Sequence, residues 1–262
     1  MRNTLVSTGN VLRIMDATKA LEQRLRDQEI VGIGLVYGHP GLGKTMTVEH
    51  YHSQSRKRDR VRTYLVRALA IWTEASMLKD LLLAMGIDPR EYRKDLMFDT
   101  LKDALTAQPA IFLIDEADSF AESRRLVTIL KDLHDVTGCC FLLVGEQRVE
   151  SIFRRYTAFY NRINTSAIVN LTGYTQADVE AVIEQRCEIP VELDVCAEIY
   201  RTNSRSMRSV IDTIRAMERY ARTNSVETMT VAHYRAMLNG RTLKGAIKRE
   251  TAGVQAAIGG TS

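Results

Sequence analysis

Apolar positions change their spacing along this chain, and each spacing predicts an element. Val11, Ile14, Met15, Leu21 and Leu25 recur at helical intervals, predicting an amphipathic helix over residues 11–28. Residues 31–37 instead form a short apolar run ending at a glycine, the pattern of a buried strand. A helix is expected over 44–53 and a second strand over 61–66. Residues 76–85 are helical in pattern and stop at Gly86. Asp88-Pro89 has the cap-then-proline form of a helix start, and the helix it opens carries Leu96, Leu101 and Leu105 before Pro109. Residues 110–114 read as a third strand and 139–144 as a fourth. Between them, Leu126, Ile129, Leu130 and Leu133 share one face of a helix over 122–134. Residues 167–171 are a weaker fifth strand.

Strands that alternate with helices imply a parallel sheet covered on both faces. After Leu171 the strand signal ends. Thr175 and Asp178 form a capping box that opens a helix to about Arg186, and helices follow over 193–201, 206–222 and 231–238. The expected organisation is an N-terminal segment with a helix (1–30, its first ten residues polar and loose), an α/β domain (31–172), a small helical domain (173–240) and a flexible, basic, glycine-containing tail (241–262).

The chemistry concentrates at two strand ends. Gly38-His39-Pro40-Gly41-Leu42-Gly43-Lys44-Thr45 has glycines and a Lys-Thr pair at the spacing of a phosphate-binding loop, between an expected strand and an expected helix. Glycines let successive N–H groups turn inward, and the helix N-terminus behind them favours anions. Lys44 would neutralise the β- and γ-phosphates, and Thr45 would offer its hydroxyl to Mg²⁺. Ile111-Phe-Leu-Ile-Asp115-Glu116 is an apolar strand ending in two carboxylates. Asp115 suits Mg²⁺ through its water shell, and Glu116 suits the polarising of an attacking water. Together the two motifs point to ATP hydrolysis.

Composition narrows the rest. The chain has 262 residues, 45% hydrophobic and 26% charged, which excludes a disordered or collagen-like polymer. No run of about 18 apolar residues exists to predict a membrane helix. The opening Met1-Arg2-Asn3-Thr4 lacks the apolar run of a signal peptide. Cys139, Cys140, Cys187 and Cys196 show no metal-ligand spacing, and the first two lie in an apolar run as core residues. A reduced, cytoplasmic protein is expected. Net charge is only +4, but 27 of the 36 basic residues are arginine, whose planar fork suits phosphate and carboxylate. Arg56, Lys57, Arg58, Arg60 and Arg62 make one basic cluster. Arg208, Asp212, Arg215, Arg219 and Arg222 share a helix face opposite Val210, Ile214, Met217 and Ala221. Each reads either as a solvated charged surface or as a contact for phosphates or a neighbouring subunit. Few aromatic residues interleave with the cations, so duplex phosphates fit better than unpaired bases.

At Tyr37–Thr45, at Ile114-Asp-Glu-Ala-Asp118 and at Leu143-Val-Gly-Glu-Gln-Arg148 the sequence resembles the AAA+ ATPases, and within them the phage Mu B and TnsC-type regulators of transposition. The resemblance covers residues 10–240. It implies an α/β AAA+ P-loop NTPase fold with a parallel five-stranded sheet and a C-terminal helical lid, binding ATP and Mg²⁺. It assigns nucleotide contacts to Gly38, His39, Pro40, Gly41, Leu42, Gly43, Lys44, Thr45 and Met46, and to Asp115. A sensor is expected after the fourth strand, where Glu146 stands in place of the usual Asn or Thr and Gln147 is preferred. The family's trans-acting arginine matches Arg162, with Arg154 and Arg155 as competitors, and its lid arginine matches Arg208. The catalytic set is then Glu116, Lys44 and Arg162, with Thr45 and Asp115 on the metal. By the same analogy Thr73, Lys79, Arg90, Arg93 and Lys94 are DNA contacts, joined by Arg124 and Arg125. The implied partners are duplex DNA, further copies of the chain in a ring or filament, and a transposase, with no membrane. Rival readings are an ATPase of a secretion, partition or signalling system, and a nucleotide-gated scaffold with negligible turnover.

Overall fold

The computed structural model describes residues 1–2, 4–27, 32–55, 61–203 and 206–240. In chain order the elements of the first part are α1 (Gly9–Asp27), β1 (Ile33–Gly38), α2 (Lys44–Ser55), β2 (Arg62–Arg67), α3 (Glu74–Ala84) and α4 (Lys94–Ala107). Then come β3 (Ala110–Asp115), α5 (Asp118–Ala121), α6 (Arg124–Thr137), β4 (Cys140–Gly145), α7 (Val149–Phe153), α8 (Thr157–Tyr160) and β5 (Ile163–Leu171). A second part holds α9 (Gln176–Arg186), α10 (Leu193–Asn203), α11 (Met207–Asn224) and α12 (Val231–Leu238). Two compact units result: Gly9–Thr172, and Met1–Thr8 together with the described residues from Gly173 on.

The larger unit is a five-stranded parallel sheet in the order β2-β3-β4-β1-β5. Its central strands β3 and β4 are buried at every residue, whereas edge strand β2 exposes both ends. A strand covered on both faces must be apolar throughout, which is why these strands read as continuous runs. Phe112 stacks on Phe141 across β3 and β4, with centroids 5.6 Å apart. Trp72, Phe120, Phe153 and Phe159 form a chain of ring contacts at 5.7, 6.1 and 5.1 Å. That chain ties the segment after β2 to α5, α7 and α8, so the loops at the carboxyl ends of the strands stand on one apolar mount. All four cysteines are buried, and burial pushes the Cys139 and Cys140 thiols up to about 12.

Several elements depart from their expected form. The first residues are anchored rather than loose. Val6 and Thr8 are buried, and Arg2 N–H donates to the Arg186 carbonyl at 2.9 Å. Helix α4 starts at Lys94, not at Asp88-Pro89. In residues 88–93 only Pro89 is buried and Tyr92 is exposed, so the segment lacks the repeated apolar face on which a helix packs, and packing rather than capping stabilises a short helix. The helix expected over 122–134 begins at Arg124, after the short α5, and ends at left-handed Gly138 (φ 69°). Strand β5 begins at Ile163, not at residue 167. Its pairing with β1 shifts register near Asn164, whose side-chain oxygen accepts Ser166 N–H at 2.9 Å. The polar Asn164-Thr165-Ser166 run therefore interrupts the alternation that would have marked the strand. Of the first basic cluster, Arg56, Lys57, Arg58 and Arg60 lie outside the described residues, as does the tail 241–262.

Candidate functional site

The site is built at the carboxyl ends of β1, β3, β4 and β2. At the end of β1 the backbone of Gly38 passes so close to β5 that a Cβ there would lie 2.9 Å from the Leu171 carbonyl oxygen. Gly41 and Gly43 both take φ 82°, the left-handed region that glycine enters without steric cost. The turn is pinned from below by buried Leu42 and by Thr47, whose hydroxyl donates to the Gly43 carbonyl at 2.8 Å. Lys44 opens α2 and folds back across the loop, its Nζ donating to the carbonyls of Gly38 (2.6 Å) and His39 (3.0 Å). His39, Pro40 and Met46 are exposed around it.

Strand β3 delivers the two carboxylates. Asp115 is buried, and Thr45 Oγ1 donates to its Oδ2 at 2.8 Å. Its Oδ1 accepts the N–H of Glu116 at 3.0 Å. Glu116 takes φ 58°, a left-handed conformation uncommon outside glycine, and this turns its side chain off the line of the strand. Its Oε1 meets Arg67 Nη2, from the end of β2, at 3.1 Å. Asp118 closes the group on the β4 side: Oδ2 accepts the Glu146 N–H at 2.6 Å. A Cβ on Gly145 would stand 2.8 Å from the same oxygen, so the carboxylate lies flat against that glycine.

Lys44 is the positive centre of this arrangement. Burial pushes its pKa below the ordinary value, and the charges of Asp118, Asp115, Glu146 and Glu116 oppose that push. Asp118 Oδ1 is buried without a hydrogen-bond partner among the described residues. The site thus has negative charge to spare and an oxygen lacking a donor, which a cation entering with its nucleotide would relieve. Among the described residues no group of three His, Cys, Asp or Glu converges on a metal position. A Mg²⁺ ion held by Thr45 and Asp115 would therefore complete its shell with water and phosphate oxygens, its ordinary habit beside nucleotides. The residues present fit both groups.

The remaining candidates are spread differently. Glu146 and Gln147 are both exposed beyond β4, and it is the Glu146 charge that reaches Lys44. Arg162, just before β5, forms a bidentate pair with Asp135 at 2.9 Å per contact. Arg154 pairs with Glu150 and lies over the Tyr160 ring, while Arg155 is exposed with no side-chain partner among the described residues. Arg208 is exposed in the first turn of α11, in the other compact unit. On the same helix, Arg215 pairs with Asp212 at 3.2 Å and Arg222 with Glu188 at 3.1 Å, so that charged face is partly neutralised.

The expected DNA contacts gather where α3, α4 and α6 begin. Thr73 is the N-cap of α3, its hydroxyl accepting Ser76 N–H in a capping box. Glu74 binds Lys94 and lies 3.6 Å from Arg125. Arg93 pairs with Asp95 at 2.6 Å, and Lys79 sits 4.9 Å above the Tyr92 ring. Arg90 and Arg124 are exposed and make no ion pair among the described residues. Sequence reasoning gave no role to Arg67, Asp118 or Asp135. Only the position of Asp118 inside the Asp-Glu-Ala-Asp run could have drawn attention to it.

Residues 29–153 match the family described as AAA domain. Origin recognition complex subunit 5 of Drosophila melanogaster is 25% identical over 188 residues, covering 62% of this chain and 39% of that protein. The chain therefore spans about two fifths of that relative's length. Among solved structures, Aeropyrum pernix ORC2, in ADPNP and ADP complexes, superposes with a TM-score of 0.69 at 17% identity, over 91% of this chain and 70% of that one. Pyrobaculum aerophilum Cdc6p gives 0.69 at 14% identity, over 92% and 70%. The Aeropyrum pernix ORC1 protein in complex with DNA gives 0.62 at 14%, over 91% and 66%. The fold is the AAA+ P-loop fold, with a five-stranded parallel sheet like that of the ORC and Cdc6 proteins.

Proposed function

We propose that this protein is an ATPase that assembles through its nucleotide sites and holds duplex DNA in the ATP-bound form. The observation that carries the reading is the 2.8 Å contact of Thr45 with Asp115, which brings the phosphate loop and the paired carboxylates to one point. Lys44 and the inward N–H groups of residues 41–45 bind the β- and γ-phosphates. Mg²⁺, when bound at Thr45 and Asp115, supplies charge neutralisation to the phosphate oxygens. Glu116 orients a water and accepts its proton. Arg162 of a neighbouring subunit meets the charge that spreads over the transferring phosphoryl group. Gln147 and Arg208 report the presence of the γ-phosphate.

The finer assignment is regulation of transposition: the ATP form captures target DNA and activates a transposase, whose contact triggers hydrolysis. It is supported by the three motifs around residues 37–45, 114–118 and 143–148. A second reading, a replication-initiation ATPase, is favoured by the names of the relatives.

The test is duplex binding measured against salt with ATP, ADP or no nucleotide, alongside phosphate release. Tighter binding with ATP and a steep salt dependence are expected. No binding in any state would leave a secretion, partition or signalling ATPase. Binding without turnover, with or without DNA, would leave a nucleotide-gated scaffold. ATP-dependent stimulation of strand transfer separates a transposition regulator from an initiator, which would act on an origin duplex instead.

A further inference from the structure

Arg162 is held with unusual completeness for an arginine at the surface. Its carbonyl accepts the Ile33 N–H at 3.1 Å, which fixes the backbone beside β1. Its guanidinium donates from Nε to Asp135 Oδ1 and from Nη2 to Asp135 Oδ2, both at 2.9 Å, and from Nη1 to the Ala158 carbonyl at 2.7 Å. Three of its five N–H donors are thereby used and two remain without a partner among the described residues, on a side chain that is 31% exposed. Asp135 stands in the last turn of α6 and is itself held by Lys131, whose Nζ is 3.2 Å from Oδ2. Burial pulls the Asp135 carboxyl upward, but hydrogen bonds from Arg162 and Lys131 outweigh it and keep the group an anion. Arg155 has no such support, and Arg154 is bound up with Glu150 and Tyr160.

A long arginine loses rotamer freedom when it engages a phosphate, and a fork already fixed by a carboxylate loses less at that moment. Two parallel hydrogen bonds also set the plane of the guanidinium, which a single contact would not. We propose that Asp135 is the positioning residue of Arg162: it fixes the guanidinium within its own subunit so that the two remaining donors face the nucleotide of the next one. This rests on the reading of Arg162 as a trans-acting group.

The experiment is subunit mixing. Asp135→Ala and Asp135→Asn are each prepared, together with Arg162→Ala and Glu116→Gln. Phosphate release, ATP affinity and melting temperature are measured for each protein and for pairs mixed at several ratios. Asp135→Ala is expected to keep ATP affinity within about twofold while kcat falls about tenfold, a charge-assisted pair being lost behind the acting group. Asp135→Asn, which keeps one acceptor, should fall between it and the parent. Asp135→Ala mixed with Glu116→Gln should regain activity, because some interfaces pair an intact nucleotide site with an intact Arg162 side. Asp135→Ala mixed with Arg162→Ala should regain none, since both lesions lie on the same side. The Asp135 substitutions are expected to lower the melting temperature in either case, so mixing decides: a general weakening of the subunit would not be relieved by it.

Loss of all recovery between Arg162→Ala and Glu116→Gln would remove the trans reading of Arg162 itself. Recovery there, with parental kcat in Asp135→Ala, would overturn the role of Asp135 alone. Faster turnover in Asp135→Ala would overturn it too, because Asp135 would then restrain Arg162 rather than aim it. If Asp135→Ala does not fold, Asp135→Asn carries the same comparisons. Failure of Asp135→Asn to bind ATP or assemble would count against the proposal, since a positioning lesion leaves both intact.

Discussion

Arg67 Nη2 lies 3.1 Å from Glu116 Oε1, joining the last residue of edge strand β2 to the second carboxylate of β3. Arg67 pairs in register with Asp115, so parallel pairing sets the two side chains side by side. The left-handed backbone of Glu116 then turns its carboxylate toward that edge. The Arg67 contact thus holds the Glu116 carboxylate toward the edge of the sheet. The pair is 70% and 43% exposed, and such pairs contribute about 0–1 kcal/mol. Arg67→Ala should therefore raise DNA-free phosphate release by roughly two- to fivefold and leave ATP affinity unchanged. Slower release would mean that Arg67 serves the bound phosphates directly.

Lys44→Ala removes the cation that spans the loop through the Gly38 and His39 carbonyls. Hydrogen bonds to charged groups are worth about 1.5–3 kcal/mol, so ATP affinity should fall roughly 10- to 150-fold. Equilibrium titration with a fluorescent ATP analogue measures it, and unchanged affinity in a folded variant would remove the phosphate-loop reading. Glu116→Gln keeps the shape of the side chain and loses the base. It should bind ATP normally, hydrolyse it about 10²- to 10⁴-fold more slowly, and accumulate in the DNA-bound form.

What could be read in advance follows from how local each feature is. Strands β3 and β4, buried at every residue, and β1, buried at all but Tyr37, announce themselves because burial on both faces demands a continuous apolar run. The phosphate loop is legible for the same reason, since its turn is made within eight residues by glycines that no other residue replaces. Arg67 and Asp118 could not be assigned this way. Their partners are set by strand order, β2 against β3 and β3 against β4, which residue spacing does not encode. The first half of β5 is hidden by its register shift. The pairing of Lys94 and Arg125 with Glu74 exists only because three helices begin at one place.

Acid should weaken the larger unit at Asp135. Hydrogen bonds from Arg162 and Lys131 overcome the effect of burial and hold its carboxyl below the ordinary value of 3.8. A group depressed in the folded state stabilises the fold fully above its unfolded pKa, and that contribution is lost as pH falls through the folded one. The stabilisation is therefore complete at pH 6–7 and declines from about pH 4 downward. Melting temperatures of the parent and of Asp135→Asn should differ most near neutrality and converge as pH falls below the folded pKa of Asp135. A constant difference across that window would mean that the titration of Asp135 is not linked to folding.

Glu74 decides how much of the basic corner at α3, α4 and α6 is available to a polyanion. Its carboxylate holds Lys94 and lies 3.6 Å from Arg125, and the hydrogen bond from Lys94 keeps it well ionised. Two of the expected DNA contacts are thus engaged within the chain, whereas Arg90 and Arg124 stand exposed without an ion pair among the described residues. Each phosphate neutralised adds about 0.9 to the slope of log affinity against log salt. Arg90→Ala and Arg124→Ala should each weaken duplex binding and make that slope shallower by about one. Glu74→Gln should act in the opposite direction, releasing Lys94 and Arg125 and steepening the slope by roughly one to two. The same change removes an acidic residue from the first turn of α3 and should be visible as a small fall in melting temperature. Weaker binding in Arg90→Ala with no change in Glu74→Gln would confine the DNA contact to the α3–α4 connection. If none of the three substitutions altered the slope, duplex DNA would have to meet another face of the protein.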